Sequence, residues 1–192
     1  MLILASSSPR RQELLRNAGI EFTVRPAHVH ENRHPGEPPV SMVERLAREK
    51  AEAVRSSLGD NESSGVFIVG ADTTVVVGNE VLEKPTGPND AARMLRLLSG
   101  RAHQVITGIC LTGDGFVDVR HESTTVFFDG VDTAEIESYI ATGEPMDKAG
   151  GYAIQGVASR WIPRIEGDYF NVVGLPVSLL VRMLRERGAP LR

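Results

Sequence analysis

The sequence predicts an α/β or α+β fold, with a mixed twisted sheet flanked by helices. Short apolar runs that are typical of buried strands alternate along the chain with segments whose apolar residues recur at helical spacing. At 192 residues, 41% of them hydrophobic, the chain is long enough to bury one sizeable core. We find no internal repeat and no clear linker, so residues 1–192 are predicted to form a single domain.

The N-terminal part of the chain is predicted to form a strand, a helix, a second strand and a loop. Residues 2–5 are a short apolar run, and residues 12–18 show helical spacing that Gly19 ends. Residues 22–24 are predicted as the second strand. Residues 25–39 are rich in proline, histidine and charge without a usable period, which is typical of a surface loop.

The longest predicted helix covers residues 41–57. Ser41 and Glu44 match the S-x-x-E capping box, which predicts that the helix begins at Ser41. Its apolar residues recur at helical spacing and predict one buried face, formed by Met42, Leu46, Ala47, Ala51 and Val54.

A buried strand and a hairpin are predicted next. Residues 66–77 are apolar and β-branched except within GADTT, and these polar and glycine residues predict a break in the strand. The turn at Gly78-Asn79 predicts that residues 80–83 return as the second arm of a hairpin. A helix over residues 90–98 follows the proline-rich break.

The C-terminal half continues the alternation. Two strands over residues 103–112 and 116–128 are predicted to meet at Gly113-Asp114-Gly115, and residues 133–141 are predicted as a helix. The segment 150–165 has a mixed pattern. Residues 175–187 form an amphipathic terminal helix that Pro176 begins.

Composition excludes several classes of protein. A formal net charge of −4 argues against a broad affinity for nucleic acid, so any anion site must be local. The single cysteine, Cys110, excludes an intrachain disulfide and fits a reducing cytoplasm. The sequence has no Cys/His pairs at ligand spacing, which argues against a structural zinc site. No apolar stretch is long enough to span a bilayer. Cys110 and Trp161 are both interpreted as packing residues, with base stacking as the alternative for Trp161.

The segment SSSPRR joins the first strand to the first helix. A loop of small residues before a helix presents backbone N–H groups and the positive end of the helix dipole, which suits phosphate oxygens. The hydroxyls of Ser6, Ser7 and Ser8 add donors, and Arg10 or Arg11 can bind phosphate with two hydrogen bonds. The alternative is an ordinary serine N-cap followed by solvated arginines.

Polar residues in two other segments point to a site. Asp72 lies in an apolar strand, where a carboxylate requires a cation, hydrogen bonds or a metal, although structural pairing alone also explains it. Lys84, at the end of the hairpin, is able to reach the same region. In EPMDKAGGYAIQG, Lys148 precedes a glycine pair and Gln155 offers an amide that reads donor and acceptor edges of a base. A surface turn and a strand-end hydrogen bond are the alternatives for these two residues.

Taken together, six segments resemble the Maf family of nucleoside triphosphate pyrophosphatases. They are ASSSPRRQELL, RLAREKA, GADTTVVVGNEVLEKP, MLRLLSGRAHQVITGI, DKAGGYAIQG and EGDYFNVVGLP, in the family's order and spacing over nearly the whole chain. The last third is similar to the branch that acts on dTTP and UTP. The resemblance implies an inosine-triphosphatase-like fold of two lobes with a nucleotide cleft between them.

The resemblance also implies roles for individual residues. Asp72 matches the family's proton acceptor, and Arg10, Thr73 and Gln155 match positions tied to substrate choice. Glu31 matches an acidic position within a segment usually written VDE, which here reads VHE because His30 replaces the aspartate. The expected metal ligands are Glu31 and Asp72. The substrate-binding residues expected from the resemblance and from the motifs are Ser6, Ser8, Arg10, Arg11, Lys50, Thr73, Lys84, Lys148 and Gln155.

The function implied is hydrolysis of dTTP and UTP, with CTP or modified pyrimidine nucleotides as further candidates, to the monophosphate and pyrophosphate in a house-cleaning role. A divalent cation (Mg²⁺, Mn²⁺ or Co²⁺) is the expected cofactor, and His30 leaves the preferred metal open. We expect a cytoplasmic homodimer that binds neither nucleic acid nor membrane. The alternatives are a pyrophosphatase for 7-methyl-GTP, inosine triphosphate or other modified purine nucleotides, and a nucleotide-binding regulator of cell division without catalysis.

Overall fold

The computed structural model describes residues 1–59 and 64–189. Helices and strands alternate along these residues, as the sequence predicts. The strands are β1 Leu2–Leu4, β2 Thr23–Val24, β3 Phe67–Val77, β4 Glu80–Leu82, β5 Ala102–Gly113, β6 Phe116–Phe127 and β7 Arg164–Glu166. The α-helices are α1 Pro9–Asn17, α2 Pro39–Ser56, α3 Pro88–Leu98, α4 Thr133–Ala141, α5 Tyr169–Val173 and α6 Val177–Glu186. Short 3₁₀ turns cover Glu144–Asp147, Ala149–Gly151 and Val157–Trp161.

The sheet contains both parallel and antiparallel strand pairs. Its strands follow the order β2-β1-β3-β5-β6-β7, and β4 pairs with β3. Strand β1 runs parallel to both neighbours, with Ile3 opposite Thr23 and Ile68. Strand β4 runs antiparallel to β3, and β7 runs antiparallel to β6. This mixed pairing, with helices between the strands along the chain, confirms the predicted fold class.

The chain divides into two compact units. The first unit comprises Met1–Asp72, Thr107–Glu122 and Gly174–Arg192, and the second comprises Thr73–Ile106 and Ser123–Val173. Strands β3, β5 and β6 therefore each contribute residues to both units. Each unit is described separately below.

The core of the first unit forms where α2 packs on β1 and β3. Its fully buried residues include Ile3, Ala47, Ala51, Ile68 and Cys110. Since the Cys110 thiol is surrounded by apolar groups, burial raises its pKa to about 12, and it remains a protonated packing residue near neutral pH. The interpretation of Cys110 as a core residue is confirmed.

The core of the second unit includes Tyr139 and Trp161, which are 1% and 3% exposed. Their rings meet edge to face at 5.2 Å, and Trp161 Nε1 donates to the carboxylate of Glu135. The packing interpretation of Trp161 is therefore confirmed. A second aromatic group joins Phe128 and Tyr152, which lie edge to face at 4.8 Å.

Two details of the predicted elements are wrong. Helix α2 begins at Pro39 and its N-cap residue, Pro38, makes no side-chain capping bond, so Ser41 lies inside the helix and the predicted capping box does not form. The reason is that proline at the first helical position has a φ angle already suited to a helix, which starts the helix earlier. Strand β3 is continuous from Phe67 to Val77, because Gly70 lies against the backbone of α2 and Asp72 pairs with Lys50 on that helix.

Other predicted elements agree with the structure. The hairpin forms with Gly78 at a φ of 58°, a left-handed conformation that favours glycine, and α4 covers the predicted residues. The predicted buried face of α2 is confirmed, since Met42, Leu46, Ala47, Ala51 and Val54 are all buried. Helix α1 begins at Pro9, three residues before its predicted start at residue 12.

Candidate active site

The SSSPRR segment lies between the end of β1 and the first turn of α1. Ser8 is the N-cap residue of α1, and its hydroxyl accepts a hydrogen bond from the backbone N–H of Arg11 at 3.5 Å. The hydroxyl of Ser6 accepts from the backbone N–H of Ser8 at 3.2 Å. The N-cap interpretation is therefore correct for Ser8, while the expected phosphate contacts of Ser6 and Ser8 stay a prediction. Pro9 occupies the first turn of α1.

Arg11 connects this loop to Gly174, where the C-terminal segment of the first unit begins. Its Nε donates to the carbonyl oxygen of Gly174 at 2.8 Å, and its Nη1 donates to the hydroxyl of Ser6 at 3.2 Å. Burial lowers the pKa of the Arg11 guanidinium, while the negative charges of Asp72 and Glu31 oppose that effect. Arg11 stays charged at neutral pH because an arginine pKa starts far above 7. The first unit thus holds a fixed positive charge close to two carboxylates.

Lys50 joins the two carboxylates directly. Its ammonium lies 2.7 Å from Oδ1 of Asp72 and 2.6 Å from Oε1 of Glu31. Lys50 and Asp72 are 7% and 9% exposed, whereas the Glu31 side chain is 47% exposed. We call Lys50, Asp72 and Glu31 the Lys50 cluster. It brings together three residues predicted for the site, and it shows that the buried Asp72 carboxylate does have the cation that its environment requires.

Close packing of α2 on β3 allows the Lys50 ammonium to reach the Asp72 carboxylate. A Cβ atom added to Gly70 would lie 2.1 Å from the carbonyl oxygen of Ala47 and 2.8 Å from the backbone nitrogen of Ala51. Only glycine permits this approach of helix and strand backbones. Because Lys50 precedes Ala51 on the helix and Asp72 follows Gly70 by two residues, the contact places the ammonium beside the carboxylate. Small residues at 47, 51 and 70 are the sequence signal for this packing.

The loop that carries Glu31 is held to α2 by a residue that sequence reasoning missed. Arg45 donates from Nε and Nη2 to the two carboxylate oxygens of Glu37, at 2.7 and 2.8 Å, and its Nη2 also donates to the carbonyl oxygen of Asn32. These hydrogen bonds lower the pKa of Glu37 to about 2. Arg45 therefore supports the loop on both sides of the turn that follows Glu31.

Arg10 lies in the first turn of α1, within the first unit, and is partly buried. The other predicted residues belong to the second unit. Thr73 directly follows Asp72 in β3 and is partly buried, while Lys84 and Gln155 are exposed. Lys148 donates from Nζ to the carbonyl oxygen of Glu144 at 2.6 Å and pairs with Asp147. The two residues lie where one 3₁₀ turn ends and the next begins. The surface-turn interpretation fits Asp147, whose side chain is 71% exposed, whereas that of Lys148 is 13% exposed. Their expected role toward substrate stays a prediction.

The two carboxylates of the Lys50 cluster fit a divalent cation whose remaining ligands come from substrate phosphates. Among the described residues, no group of three or more His, Cys, Asp and Glu side chains is placed to hold a metal ion. Mg²⁺, however, is commonly bound by one or two carboxylates together with substrate phosphates, and Glu31 and Asp72 supply such a pair. His30, which stands where the resemblance expects an aspartate, is exposed.

The fold and this cluster define an α/β protein whose first unit contains a charged, partly buried group of side chains. The chain matches the sequence profile of the Maf-like protein family over residues 1–187. This chain therefore belongs to the Maf-like family. None of the helices in the described part of the chain is both long and apolar enough to cross a membrane.

Three curated relatives carry the same name. A dTTP/UTP pyrophosphatase of Koribacter versatilis is 54% identical over 187 residues, which cover 97% of this chain and 94% of the relative. A dTTP/UTP pyrophosphatase of Symbiobacterium thermophilum is 50% identical, over 99% of this chain and 95% of the relative. A dTTP/UTP pyrophosphatase of a Geobacillus species is 46% identical, over 97% of this chain and 98% of the relative. Among solved structures, the Ham1 protein of Staphylococcus aureus aligns with a TM-score of 0.47 and 12% identity, over 97% of this chain and 98% of that one.

Proposed function

We propose that this protein is a nucleotide pyrophosphatase that hydrolyses dTTP and UTP to the nucleoside monophosphate and pyrophosphate. The observation that carries the proposal is the buried carboxylate of Asp72, paired with Lys50 beside Arg11, in a chain whose relatives at 46–54% identity are named for this activity. Those names do not favour a 7-methyl-GTP pyrophosphatase or a regulator without catalysis.

The charges of the first unit suit a triphosphate. Arg11 and Lys50 are cations held next to carboxylates, and Arg10 adds a third positive charge at the start of α1. An arriving triphosphate would compete with Glu31 for the Lys50 ammonium, since phosphate oxygens accept the same hydrogen bonds. The exposed side of the cluster, where Glu31 lies, is the side from which this exchange is open to solvent.

The proposed chemistry is in-line attack of water on the α-phosphorus. Asp72 accepts a proton from the attacking water, a new bond forms between the water oxygen and the α-phosphorus, and the bond between that phosphorus and the bridging oxygen breaks. Pyrophosphate leaves with the bridging oxygen. Lys50 and Arg11 stabilise the charge on the phosphate oxygens. When bound by Glu31 and Asp72, a divalent cation (Mg²⁺, Mn²⁺ or Co²⁺) would add Lewis-acid stabilisation of that charge.

Residues of the second unit are proposed to recognise the nucleotide. Gln155 offers an amide whose oxygen accepts and whose nitrogen donates, which suits the edge of a pyrimidine. Thr73 is proposed to contribute to the same choice, and Lys84 and Lys148 to bind phosphate. We also propose that the protein acts as a cytoplasmic homodimer without nucleic-acid partners, in keeping with its acidic net charge of −4.

A turnover assay tests the proposal. The purified protein is given dTTP, UTP, CTP, 7-methyl-GTP or ITP with Mg²⁺ or Mn²⁺, and pyrophosphate is measured separately from orthophosphate. Pyrophosphate and monophosphate from dTTP and UTP are expected. Orthophosphate as the first product would contradict attack at the α-phosphorus. Preference for 7-methyl-GTP would move the substrate to a modified purine, and tight binding of nucleotide without turnover would favour the regulator.

A further inference from the structure

The loop around Gln155 is held at two points by one pair of side chains in the second unit. The hydroxyl of Tyr139 donates to Oε1 of Glu144 at 2.8 Å and accepts from the backbone N–H of Ala153 at 3.3 Å. Oε2 of Glu144 accepts from the backbone N–H of Val157 at 3.4 Å. The two loop positions held in this way lie two residues before and two residues after Gln155.

The support is closely packed, although Gln155 itself is exposed. A Cβ atom added to Gly156 would lie 2.0 Å from Oε1 and 2.6 Å from Cδ of Glu144, so the carboxylate lies directly against the loop backbone. The Tyr139 ring is 1% exposed and packs edge to face on Trp161. A buried aromatic ring in such contacts has little freedom to move. Because its hydroxyl is bonded to the loop backbone, the ring also restricts the motion of the loop.

Glu144 also holds a second residue predicted to bind substrate. The ammonium of Lys148 donates to the carbonyl oxygen of Glu144 at 2.6 Å, within the turn that Glu144 begins. The backbone of Glu144 therefore supports Lys148, while its side chain supports the loop of Gln155. Neither Tyr139 nor Glu144 was among the residues that the sequence predicted for the site.

We infer that Tyr139 and Glu144 are positioning residues: by holding the backbone on both sides of Gln155, they place its amide for discrimination between uracil and cytosine. The inference rests on the proposed function. At the edge used for pairing, uracil presents an N–H between two carbonyl oxygens, whereas cytosine presents an amino group in place of one oxygen and a bare ring nitrogen in place of the N–H. An amide whose backbone is held in one place can be matched to one of these patterns, whereas an amide on a mobile loop shifts to accommodate both.

The test compares two Tyr→Phe variants, each of which removes one buried hydroxyl from the second unit. Tyr139→Phe removes the hydroxyl that supports the loop, while Tyr152→Phe removes one whose partner is His103, at 2.7 Å. The kcat and KM for UTP and CTP and the melting temperature are measured for each. Tyr139→Phe is expected to lower the UTP to CTP ratio of kcat/KM about tenfold, mainly through KM for UTP. Tyr152→Phe is expected to keep the wild-type ratio.

A second variant approaches the same contact from the loop. Gly156→Ala places a methyl group against the Glu144 carboxylate and is expected to lower the same ratio, which keeps the inference testable if Tyr139→Phe folds poorly. A purely structural role would reduce the melting temperature and the active fraction while KM and the ratio stay at wild-type values, and that result overturns the inference. So does a wild-type protein that hydrolyses UTP and CTP equally. Failure of the proposed function is distinguishable, because the wild-type protein would then release no pyrophosphate.

Discussion

Lys50 donates a hydrogen bond to Asp72 at 2.7 Å, and both residues are almost completely buried. The ammonium also contacts Glu31, so one cation serves two carboxylates. Burying such charges costs several kcal/mol unless each has its partner. The pair is therefore a structural requirement of the first unit as well as a candidate for chemistry, and the two roles can be separated by substitution.

Replacing Lys50 with methionine should destabilise the protein strongly. The substitution keeps most of the length of the side chain but removes the ammonium that pairs with the buried Asp72, and breaking a buried pair in this way costs about 3–5 kcal/mol. Urea unfolding at neutral pH measures the loss. The control is Arg48→Met on the same helix, where the pair with Glu52 is exposed, with 57% and 42% of the two side chains accessible. That variant should unfold at nearly the wild-type midpoint, and equal losses for both would contradict a special role for the buried pair.

Asp72→Asn should abolish turnover while largely preserving the fold. The amide occupies the same volume and has an oxygen that still accepts from Lys50, but it does not take a proton from water. Loss of a general base lowers kcat by about 10²–10⁴-fold. Pyrophosphate release from dTTP and the melting temperature are measured together. A folded Asp72→Asn protein with wild-type turnover would refute the assignment of Asp72 as proton acceptor.

Gly70→Ala should destabilise the first unit because its new methyl group meets the backbone of α2. The nearest atom is the Ala47 carbonyl oxygen, 2.1 Å away, which moves only if the helix moves. We expect a loss of roughly 1–3 kcal/mol or more from this overpacking. Turnover should fall as well, because Lys50 moves with the helix. Gly130→Ala is the control, since nothing lies within 4 Å of a Cβ there; similar unfolding midpoints for the two variants would contradict the packing argument.

Much of the fold follows from periodicity, whereas the ends of its elements depend on particular residues. Apolar spacing predicts α2 and its buried face, and the Gly78-Asn79 turn predicts the hairpin, because these signals are local. The start of α2 at Pro39 was missed because a favourable capping pattern at Ser41 competed with proline at the first helical position. The break expected in β3 does not occur, because Asp72 finds its partner on a helix that is distant in sequence.

The same difference between local signals and contacts distant in sequence applies to the site residues. A carboxylate within an apolar strand identifies Asp72 from sequence, since such a residue needs a cation. That Lys50 is this cation follows only once α2 is packed on β3 through Gly70. Arg45 and Glu37 were not predicted, because their contact depends on how an irregular loop folds back on a helix. No pattern in the sequence around Tyr139 and Glu144 marks them, because their proposed role depends on hydrogen bonds that form only in the folded loop.

Glu31→Gln should weaken the response of activity to divalent metal. The amide removes one of the two carboxylates proposed to hold the cation, and a neutral oxygen is a poorer ligand for Mg²⁺. We expect the Mg²⁺ concentration for half-maximal turnover to rise at least about tenfold, since changing residues that only support metal ligands already weakens metal affinity about 10–100-fold. Glu52→Gln, which alters an exposed carboxylate on α2, is the control. Unchanged Mg²⁺ dependence in Glu31→Gln, or full activity of the wild type after chelation, would contradict a metal at this position.

His103 should make the stability of the protein fall as the pH is lowered. Its ring is 3% exposed, its Nε2 shares a hydrogen bond with the Tyr152 hydroxyl, and its Nδ1 has no hydrogen-bond partner within the described residues. Burial lowers its pKa from 6.5 to about 4. Well above pH 6.5 the ring is neutral in both the folded and the unfolded chain. Between pH 6.5 and 4 the unfolded chain takes up a proton that the folded protein excludes, so stability is lost over that range.

The expected loss from His103 is about 2 kcal/mol between pH 7 and pH 5. It is measured as the difference in the free energy of unfolding in urea at the two pH values, for the wild type and for His103→Gln. The variant should be less stable at pH 7, because the hydrogen bond and ring contact of His103 with Tyr152 are altered. Its stability should fall less on acidification. His28→Gln, at an exposed histidine, should keep the wild-type pH dependence. If His103→Gln loses as much stability as the wild type between pH 7 and 5, the ring of His103 is not the group that excludes the proton.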